Sequence, residues 1–288
     1  MGCHPYFPRA RALRRVLAAG ALVALGAAPV APAGAWGAQG HRIIGLVAEQ
    51  RLDARTRAAL SAVAGGETLA DLGLWLDRER DRLRSEQPGS QRWHYDNRPV
   101  CEPAAPLAGY CADGNCASQA FERARRTLGD RAAPPAARLE ALRILVHVLG
   151  DLHQPLHAAD HDDRGGNDVR VRLGRRGRPQ PLHAAWDGDF VKRAVRGESE
   201  SAFAARLLTE RRATLGALEA GDAAAWQQES YALARSYAYG RLPGFACGHG
   251  PAGVVDLPPA YADGAAAIVE ERLARAGIRL AAVLRATL

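Results

Sequence analysis

The segment that most constrains this chain runs from His147 to His157, where ionisable side chains interrupt a largely apolar stretch. His147 and Asp151 are four residues apart, so on a helix they share one face and can bind one cation. The apolar residues just before them predict that this face lies in the core. Pro155 has no amide proton and should kink or end the helix, leaving His157 free to bind a second metal ion. A helix of satisfied core histidines is the alternative, but buried ionisable groups are costly unless paired or metal-bound.

The surrounding pattern predicts an all-α fold with a single domain over residues 36–288. Aromatic residues make up only 6% of the chain, and β-branched runs are scarce. One small β-hairpin is expected, beginning at residues 169–173 and returning to Leu182. The glycine- and proline-rich stretches 97–115 and 241–259 should be long ordered loops. Apolar spacing predicts helices over 43–52, 56–84 and about 118–128, from about Ala137, and within 199–240 and 258–288.

Residues 1–35 are predicted to be an export signal that is removed from the mature protein. They carry four arginines near the start and no acidic residue, and their apolar run over 16–30 is too short to span a bilayer. Ala33-Gly34-Ala35 fits the small-x-small cleavage pattern; an uncleaved membrane anchor is the alternative. We therefore expect a secreted or periplasmic protein without a membrane anchor after processing. Loss of the four arginines would lower its net charge from +7 to +3.

Four cysteines remain after this cleavage, and an even number in an exported protein indicates two disulfide bonds. A Cys111–Cys116 bond would close a short loop, and a Cys101–Cys247 bond would join the two irregular segments. A zinc site made of all four thiolates is the alternative, although the spacing lacks paired C-x-x-C motifs.

Cleavage after Ala35 would make Trp36 the new N-terminus, five residues before His41. A free α-amino group titrates near ~8, so a nearby metal ion could displace its proton. The amino nitrogen and carbonyl oxygen of Trp36 would then chelate the ion, with His41 as third ligand. An ordinary frayed terminus is the alternative, and this hexapeptide by itself favours it.

Further candidate ligands lie before the central segment. Asp71, Asp77 and Asp81 fall on the predicted helix over 56–84, where most acidic residues are simply solvated. His94 is flanked by aromatic residues in Trp93-His94-Tyr95-Asp96-Asn97. These positions are candidates that spacing alone cannot rank.

A second histidine–aspartate pair lies after the central segment. In His183-Ala-Ala-Trp-Asp187 the two residues are again four apart at the start of a predicted helix. Two independent pairs indicate metal binding more strongly than one. The polar loop Gly165-Gly166-Asn167-Asp168 can carry ligand contacts, with Asn167 as a candidate substrate-binding residue.

Together these motifs resemble those of a known family, and they cover essentially the whole mature chain. The matching segments are Trp36-Gly-Ala-Gln-Gly-His41, Trp75-Leu-Asp-Arg-Glu-Arg80, Trp93-His94-Tyr95, His147-Val-Leu-Gly-Asp151, Gln154-Pro-Leu-His157 and His183-Ala-Ala-Trp-Asp187. The chain resembles the zinc-dependent, single-strand-specific nuclease and 3′-nucleotidase family of fungi, plants and bacteria. That family shares its all-helical fold with bacterial zinc-dependent phospholipase C. The cysteine spacing also fits the family's two disulfides.

The resemblance implies three zinc ions, with ligands carried over residue by residue. The implied ligands are Asp77, His94, His147 and Asp151 for the first ion; His157, His183 and Asp187 for the second; and Trp36, His41 and the other oxygen of Asp151 for the third. The resemblance thereby selects Asp77 over Asp71 and Asp81.

The resemblance also implies roles toward the substrate. Arg80 would contact the phosphate and its transition-state charge, and it joins Asp151 as a candidate catalytic residue. Tyr95 and Asn97 would lie where the family stacks and hydrogen-bonds a base. The best-known fungal members have Asp at the position of Asn97, so the base preference of this chain stays open.

These roles predict a monomer that hydrolyses single-stranded DNA, RNA and 3′-nucleotides. A water held between the first two ions would lose its proton near neutral pH and attack phosphorus in line. The ions and Arg80 would neutralise the developing charge, leaving 5′-phosphate products or a nucleoside plus phosphate. Stacking on Tyr95 requires an exposed base face, which favours single strands over duplex.

Two other functions use the same residues. A phospholipase C-type phosphodiesterase would act on lipid head groups, but the lipases carry Glu in place of Asp187 and a shorter gap before it. A non-enzymatic helical metal-binding protein would have closed coordination, and mutation of Arg80 would leave its properties unchanged.

Overall fold

The fold is organised around a central helix, Pro135–Asp151, in a computed structural model that describes residues 1–2, 36–103, 110–174 and 176–288. Pro135 suits the first helical position because its fixed φ matches the helix and its missing N–H would be unpaired there anyway. The C-terminal half of the helix is buried on all sides. It packs against a helix over Ala117–Gly129, several short helices before it in the chain, and the C-terminal helix.

The described part of the chain is mostly helical, as the sequence predicts. The other helices are α1 Ala38–Glu49, α2 Ala54–Ala64, α3 Leu69–Leu72, α4 Trp75–Arg78, α5 Arg80–Glu86, Ala117–Gly129, Pro155–Ala158, Leu182–Ala184, Phe190–Val195, Glu200–Glu210, Leu215–Leu218, Ala223–Leu233 and Pro259–Thr287, with a 3-10 turn at Ser90–Arg92 and π-helical turns at Ala185–Asp189 and Ala234–Ala238. The all-α prediction is therefore confirmed.

The strands are short and form two small sheets. In the first, β1 (Arg98–Pro99) pairs in parallel with β2 (Ala159–Asp160). In the second, β3 (Arg170–Leu173) pairs antiparallel with β4 (Gln180–Pro181), which confirms the predicted hairpin. The strand β5 (Val254–Leu257) adds to β3 in parallel, and the sequence did not predict it.

The core lies where α1 and the C-terminal helix Pro259–Thr287 cross. The side chains of Ile43, Val47 and Leu273 are completely buried there. Gly277 allows the close approach, because a Cβ at this position would overlap the side chain of Val47. The packing holds α1, which carries His41, against the central helix.

The prediction of one continuous helix over 56–84 is wrong. The α2 helix ends at Gly65, which has a left-handed φ of 62° that glycine adopts without strain. The Thr68 hydroxyl then accepts a hydrogen bond from the N–H of Asp71 and starts α3. Two further short helices follow, so the chain changes direction before it reaches Asp77. The apolar residues keep helical spacing across these breaks, so periodicity alone does not reveal them.

The predicted break at Pro155 is confirmed. The central helix ends at Asp151, and Pro155 occupies the first position of a new short helix that carries His157. The side-chain oxygen of Gln154 caps this helix by accepting the N–H of Leu156. His157 therefore leaves the face shared by His147 and Asp151.

Both predicted disulfide bonds, Cys101–Cys247 and Cys111–Cys116, are present, so the four-thiolate zinc site is wrong. None of the helices in the described ranges is long and apolar enough to cross a membrane. The predicted export signal lies almost entirely outside the described residues, since positions 3–35 are not among them.

Candidate metal centre

The completely buried carboxylate of Asp151 lies at the centre of a cluster of histidines. One of its oxygens is 3.1 Å from His94 Nδ1 and 3.2 Å from His147 Nε2. The other is 3.4 Å from His41 Nε2 and 3.9 Å from His157 Nδ1. Burial alone would raise the pKa of Asp151, but the facing imidazoles, His147 foremost, hold it well below its usual range.

The first group of potential ligands joins Asp77, His94 and His147, whose ligand atoms lie within 4.8 Å of one another. His147 Nε2 is 3.1 Å from His94 Nδ1 and 4.0 Å from Asp77 Oδ1. Burial opposes protonation of His147, but the charges of Asp151 and Asp77 outweigh it and raise the pKa to about 9. The charge imbalance that attracts this proton would equally attract a metal cation.

The second group joins His157, His183 and Asp187 within the same limit. The Nε2 atoms of His157 and His183 are 3.0 Å apart, and His183 Nε2 is 3.3 Å from Asp187 Oδ2. Burial raises the pKa of Asp187 well above its usual range and lowers the pKa of His157 to about 3. Both shifts arise mainly because burial disfavours the charged form of each group.

The third group joins His41 with His147 and Asp151. The rings of His41 and His147 stack at a centroid distance of 4.0 Å. Trp36 is completely buried beside them, with its indole N–H donating to the carbonyl of Gly150 at 2.9 Å. The N–H of the next residue, Gly37, donates to the carbonyl of Asp187 at 2.9 Å, so these two hydrogen bonds hold the segment against the central helix and against Asp187 of the second group.

Backbone carbonyls orient three of these histidines. The Nδ1 atoms of His147, His157 and His183 donate to the carbonyls of Gly73, His94 and Gly165 at 2.7, 2.6 and 2.6 Å. In the neutral form of each ring, such a bond places the one proton on Nδ1 and leaves the Nε2 lone pair directed into the cluster. Metal-binding histidines are commonly fixed by this kind of outer hydrogen bond.

Two observations indicate that these residues are suited to bind metal ions. Both ring nitrogens of His41, one oxygen of Asp151 and one oxygen of Asp187 are buried without a hydrogen-bond partner among the described residues. The ligand atoms also have suitable spacing, since two ligands on a tetrahedral zinc ion at 2.0–2.1 Å lie about 3.3 Å apart. Nitrogen and oxygen donors without thiolate suit zinc.

A glycine loop supports His183 from behind. Gly165, whose carbonyl accepts from His183, has a φ of 64° and leaves no room for a side chain against the carbonyl of Leu156. The N–H of Gly166 donates to Asp163 Oδ1 at 2.8 Å, and the hydroxyl of Tyr239 donates to the same oxygen at 2.7 Å. Sequence spacing gave no signal for this support, because Tyr239 lies 76 residues from Asp163 in the chain.

The predicted substrate residues differ in where they lie. Arg80 is beside the potential ligands, bonded to Asp77 Oδ1 at 2.6 Å. Tyr95 and Asn97 follow His94 directly and are both half-buried. Asn97 has a left-handed φ of 43°, which asparagine tolerates better than most residues. Asn167 instead donates to the carbonyl of Arg164 in its own loop at 2.9 Å, and in the described part of the chain its side chain makes no hydrogen bond to the potential ligands.

Two neighbouring residues have roles that the sequence did not assign. Gln154 donates to Asp187 Oδ1 at 2.8 Å and orients that carboxylate. His153 is a satisfied core histidine: Nδ1 donates to the carbonyl of Leu149 at 2.8 Å, and Nε2 accepts from Arg279 at 2.9 Å. The core-histidine alternative is therefore correct for this one residue of the central segment.

This combination, a helical fold with histidines and aspartates gathered in three potential ligand groups, defines a helical protein with a candidate metal centre. A family model described as S1/P1 Nuclease matches residues 36–288. The chain belongs to the S1/P1 nuclease family and is accordingly a hydrolase that acts on phosphodiester bonds, which confirms the resemblance inferred from its motifs.

Individual relatives match over most of the chain. Endonuclease 2 of Arabidopsis thaliana is 29% identical over 267 residues, which cover 86% of this chain and 89% of the relative. Nuclease S1 of Aspergillus oryzae is 27% identical over 267 residues, covering 86% and 90%. Nuclease P1 of Penicillium citrinum is 27% identical over 172 residues, covering 58% and 62%.

Proposed function

We propose that the chain, processed to begin at Trp36, is a three-zinc endonuclease that cleaves single-stranded DNA and RNA to 5′-phosphate products. It also removes the phosphate from 3′-nucleotides. The observation that carries this proposal is the convergence of the three ligand groups on the single buried carboxylate of Asp151. Such a cluster is typical of chemistry that needs several cations on one phosphate.

The proposed ligands are those that the family resemblance implies. They are Asp77, His94, His147 and Asp151; His157, His183 and Asp187; and Trp36, His41 and the second oxygen of Asp151. Bound zinc would lower the pKa of a coordinated water toward neutrality and neutralise charge on phosphoryl oxygens. Asp151 is central because one of its oxygens faces His94 of the first group and the other faces His41 of the third.

Arg80 provides the positive charge that the chain itself contributes to the phosphate. Its guanidinium is held at 2.6 Å by Asp77, and its charge also lowers the pKa of Asp187, although burial has the larger, opposite effect there. Arg80 is therefore near residues of the first and second proposed zinc sites. A fixed guanidinium can donate to two phosphoryl oxygens at once and stabilises the charge that grows on them in the transition state.

Tyr95 accounts for the preference for single strands. It is half-buried and directly follows the proposed ligand His94 in the chain. A base can stack on such a ring only when its face is free, which duplex pairing and stacking prevent. Asn97 offers an amide to the edge of that base, so it can donate as well as accept, unlike a carboxylate.

The same proposal covers processing and location. Removal of residues 1–35 would free the α-amino group of Trp36, and the mature domain over 36–288 would act as a secreted or periplasmic monomer. The family match begins at residue 36, which supports this boundary.

The test is hydrolysis by the purified chain 36–288 of single-stranded and duplex DNA, RNA, 3′-AMP and a phosphatidylcholine analogue, with and without chelator. We expect rapid cleavage of single strands to 5′-phosphate ends, phosphate release from 3′-AMP, and loss of both with chelator. Lipid hydrolysis without nucleotide hydrolysis would instead identify a phospholipase. Cleavage that persists in chelator would exclude the zinc mechanism.

A further inference from the structure

The short helix α5, Arg80–Glu86, presents two arginines along one face. Arg80 and Arg84 are four residues apart, so they lie on the same side of the helix and about 6 Å apart along its axis. Arg80 is beside the potential ligands, bonded to Asp77. Arg84 is one turn further from the cluster, and its side chain is exposed.

Arg84 is a cation without a bonded partner on this face. Within the described ranges it makes no hydrogen bond and no ion pair. Arg82, on the opposite side of the same helix, is in contrast bonded to both Glu79 and Glu86 and lies over the ring of Trp75. Both arginines are exposed and lie on the same helix, so they differ mainly in the helix face that they occupy and in whether they form ion pairs.

Arg84 lies on a helix that packs next to the segment leading to Tyr95. The α5 helix packs against the Ser90–Arg92 turn, which leads directly into His94 and Tyr95. The charge environment agrees: burial raises the pKa of Tyr95, and the positive charges of Arg92 and Arg84 oppose that rise. Arg92 is already ion-paired with Asp113, which leaves Arg84 as the unpaired cation of the two.

We propose that Arg84 binds the 5′-phosphate of the nucleotide whose base stacks on Tyr95, and so favours polynucleotides over 3′-mononucleotides. This rests on the proposed function. If Arg80 faces the phosphate that is cleaved, on the 3′ side of that nucleotide, the next phosphate along the strand is its 5′-phosphate. Arg80 and Arg84 then form a row of two cations that matches two successive phosphates on either side of one stacked base.

The sharpest substrate pair is 3′-AMP and adenosine 3′,5′-bisphosphate, because they differ only in the 5′-phosphate. Wild-type protein should have the higher kcat/KM for the bisphosphate. Arg84→Gln should reduce the ratio of the two kcat/KM values about tenfold, through KM rather than kcat, because a charge-assisted contact of this size is lost. Arg84→Lys should restore part of it, and Arg82→Gln should leave the ratio unchanged. An unchanged ratio in Arg84→Gln would overturn the proposal.

A binding measurement tests the phosphate contact of Arg84 independently of catalysis. The probe is a non-cleavable phosphorothioate oligothymidylate, and its affinity is measured against salt concentration. Arg84→Gln should reduce the slope of log affinity against log salt by about one, as expected for one lost phosphate contact. If wild-type protein hydrolyses neither adenosine compound, the proposed function fails, and this slope alone decides the role of Arg84. An unchanged slope would exclude it.

Discussion

The Nε2 atoms of His157 and His183 lie 3.0 Å apart in the buried centre of the protein. Both rings donate Nδ1–H to a backbone carbonyl, of His94 and Gly165, so both Nε2 atoms present lone pairs to each other. Burial lowers the pKa of both histidines, so neither imidazole readily takes a second proton. Two facing lone pairs repel unless a cation lies between them, which makes this pair the strongest geometric indication of a metal site.

Replacing His157 should remove one metal ion from the protein. His157→Asn is expected to lower the zinc content by about one ion per chain and to reduce cleavage of single-stranded DNA by more than about 100-fold. Elemental analysis of the purified variant gives the metal content, and the initial rate of cleavage gives the activity.

The matched control for that variant is His153, four residues earlier and equally buried. Its nitrogens are bonded to Leu149 and Arg279, so His153→Asn should cost roughly 1–3 kcal/mol of stability and leave the zinc content unchanged. A His157→Asn protein that retains its full zinc content would contradict the assignment.

The distinction between these two histidines shows how far sequence reasoning reaches. The pairs His147/Asp151 and His183/Asp187 are visible in the sequence because a helix brings residues four apart onto one face. His153 lies in the same segment and differs only in what surrounds it. Its partner Arg279 is on the C-terminal helix, and local spacing carries no information about such a contact.

The segment that leads to Asp77 shows a second kind of feature that sequence reasoning misses. Leucines continue at helical spacing through 56–84, yet Gly65 and the Thr68 cap divide the segment into short helices. The resemblance to the family selected Asp77 where periodicity left three aspartates open. Backbone turns at glycine decide the direction of a side chain, and apolar periodicity does not record them.

The free N-terminus of Trp36 is predicted to be a ligand in its own right. A chain that begins at Trp36 should bind three zinc ions, and one that retains Ala35 should bind two, because an amide nitrogen cannot replace an amine. Isothermal titration of zinc into both metal-free chains checks this. Equal stoichiometry in the two chains would show that the α-amino group is not used.

The hydrogen bond between Tyr239 and Asp163 is expected to tune zinc affinity from a distance. Tyr239→Phe removes the donor that holds Asp163 Oδ1 and, through Gly166, the loop that orients His183. We expect about tenfold weaker zinc binding at the second site, measured by competition with a chelator.

Tyr231 provides a control of the same chemistry. Its buried hydroxyl donates to the carbonyl of Pro99 at 2.7 Å. Tyr231→Phe should lower the melting temperature to a similar extent as Tyr239→Phe but leave zinc affinity unchanged. Equal zinc affinities in the two variants would show that the loop needs no support from Tyr239.

Acid stability should depend on Glu229. Burial alone would raise its pKa, but hydrogen bonds from Arg279 and Arg272 outweigh it and lower the pKa from 4.5 to about 2. A depressed carboxyl pKa stabilises the fold above the unfolded value near 4.5, and this contribution is lost as the pH falls from 4.5 toward 2. Glu229→Gln should lower the melting temperature by a few degrees at pH 7 and flatten its decline over that acid range.

The control is Glu122→Gln, which removes a half-buried carboxylate paired with the exposed guanidinium of Arg125. Surface pairs of this kind contribute little, so its melting curve should follow wild type at every pH. A Glu229→Gln protein with the same acid decline as wild type would show that the buried arginines do not depend on this carboxylate.

The most direct measurement is a zinc titration of the metal-free chain 36–288, with bound zinc and cleavage of single-stranded DNA followed in the same samples. The proposed cluster predicts three ions per chain, with little cleavage until the sites around Asp151 are filled. Full activity without zinc, or activity that saturates with a single bound ion, would contradict it.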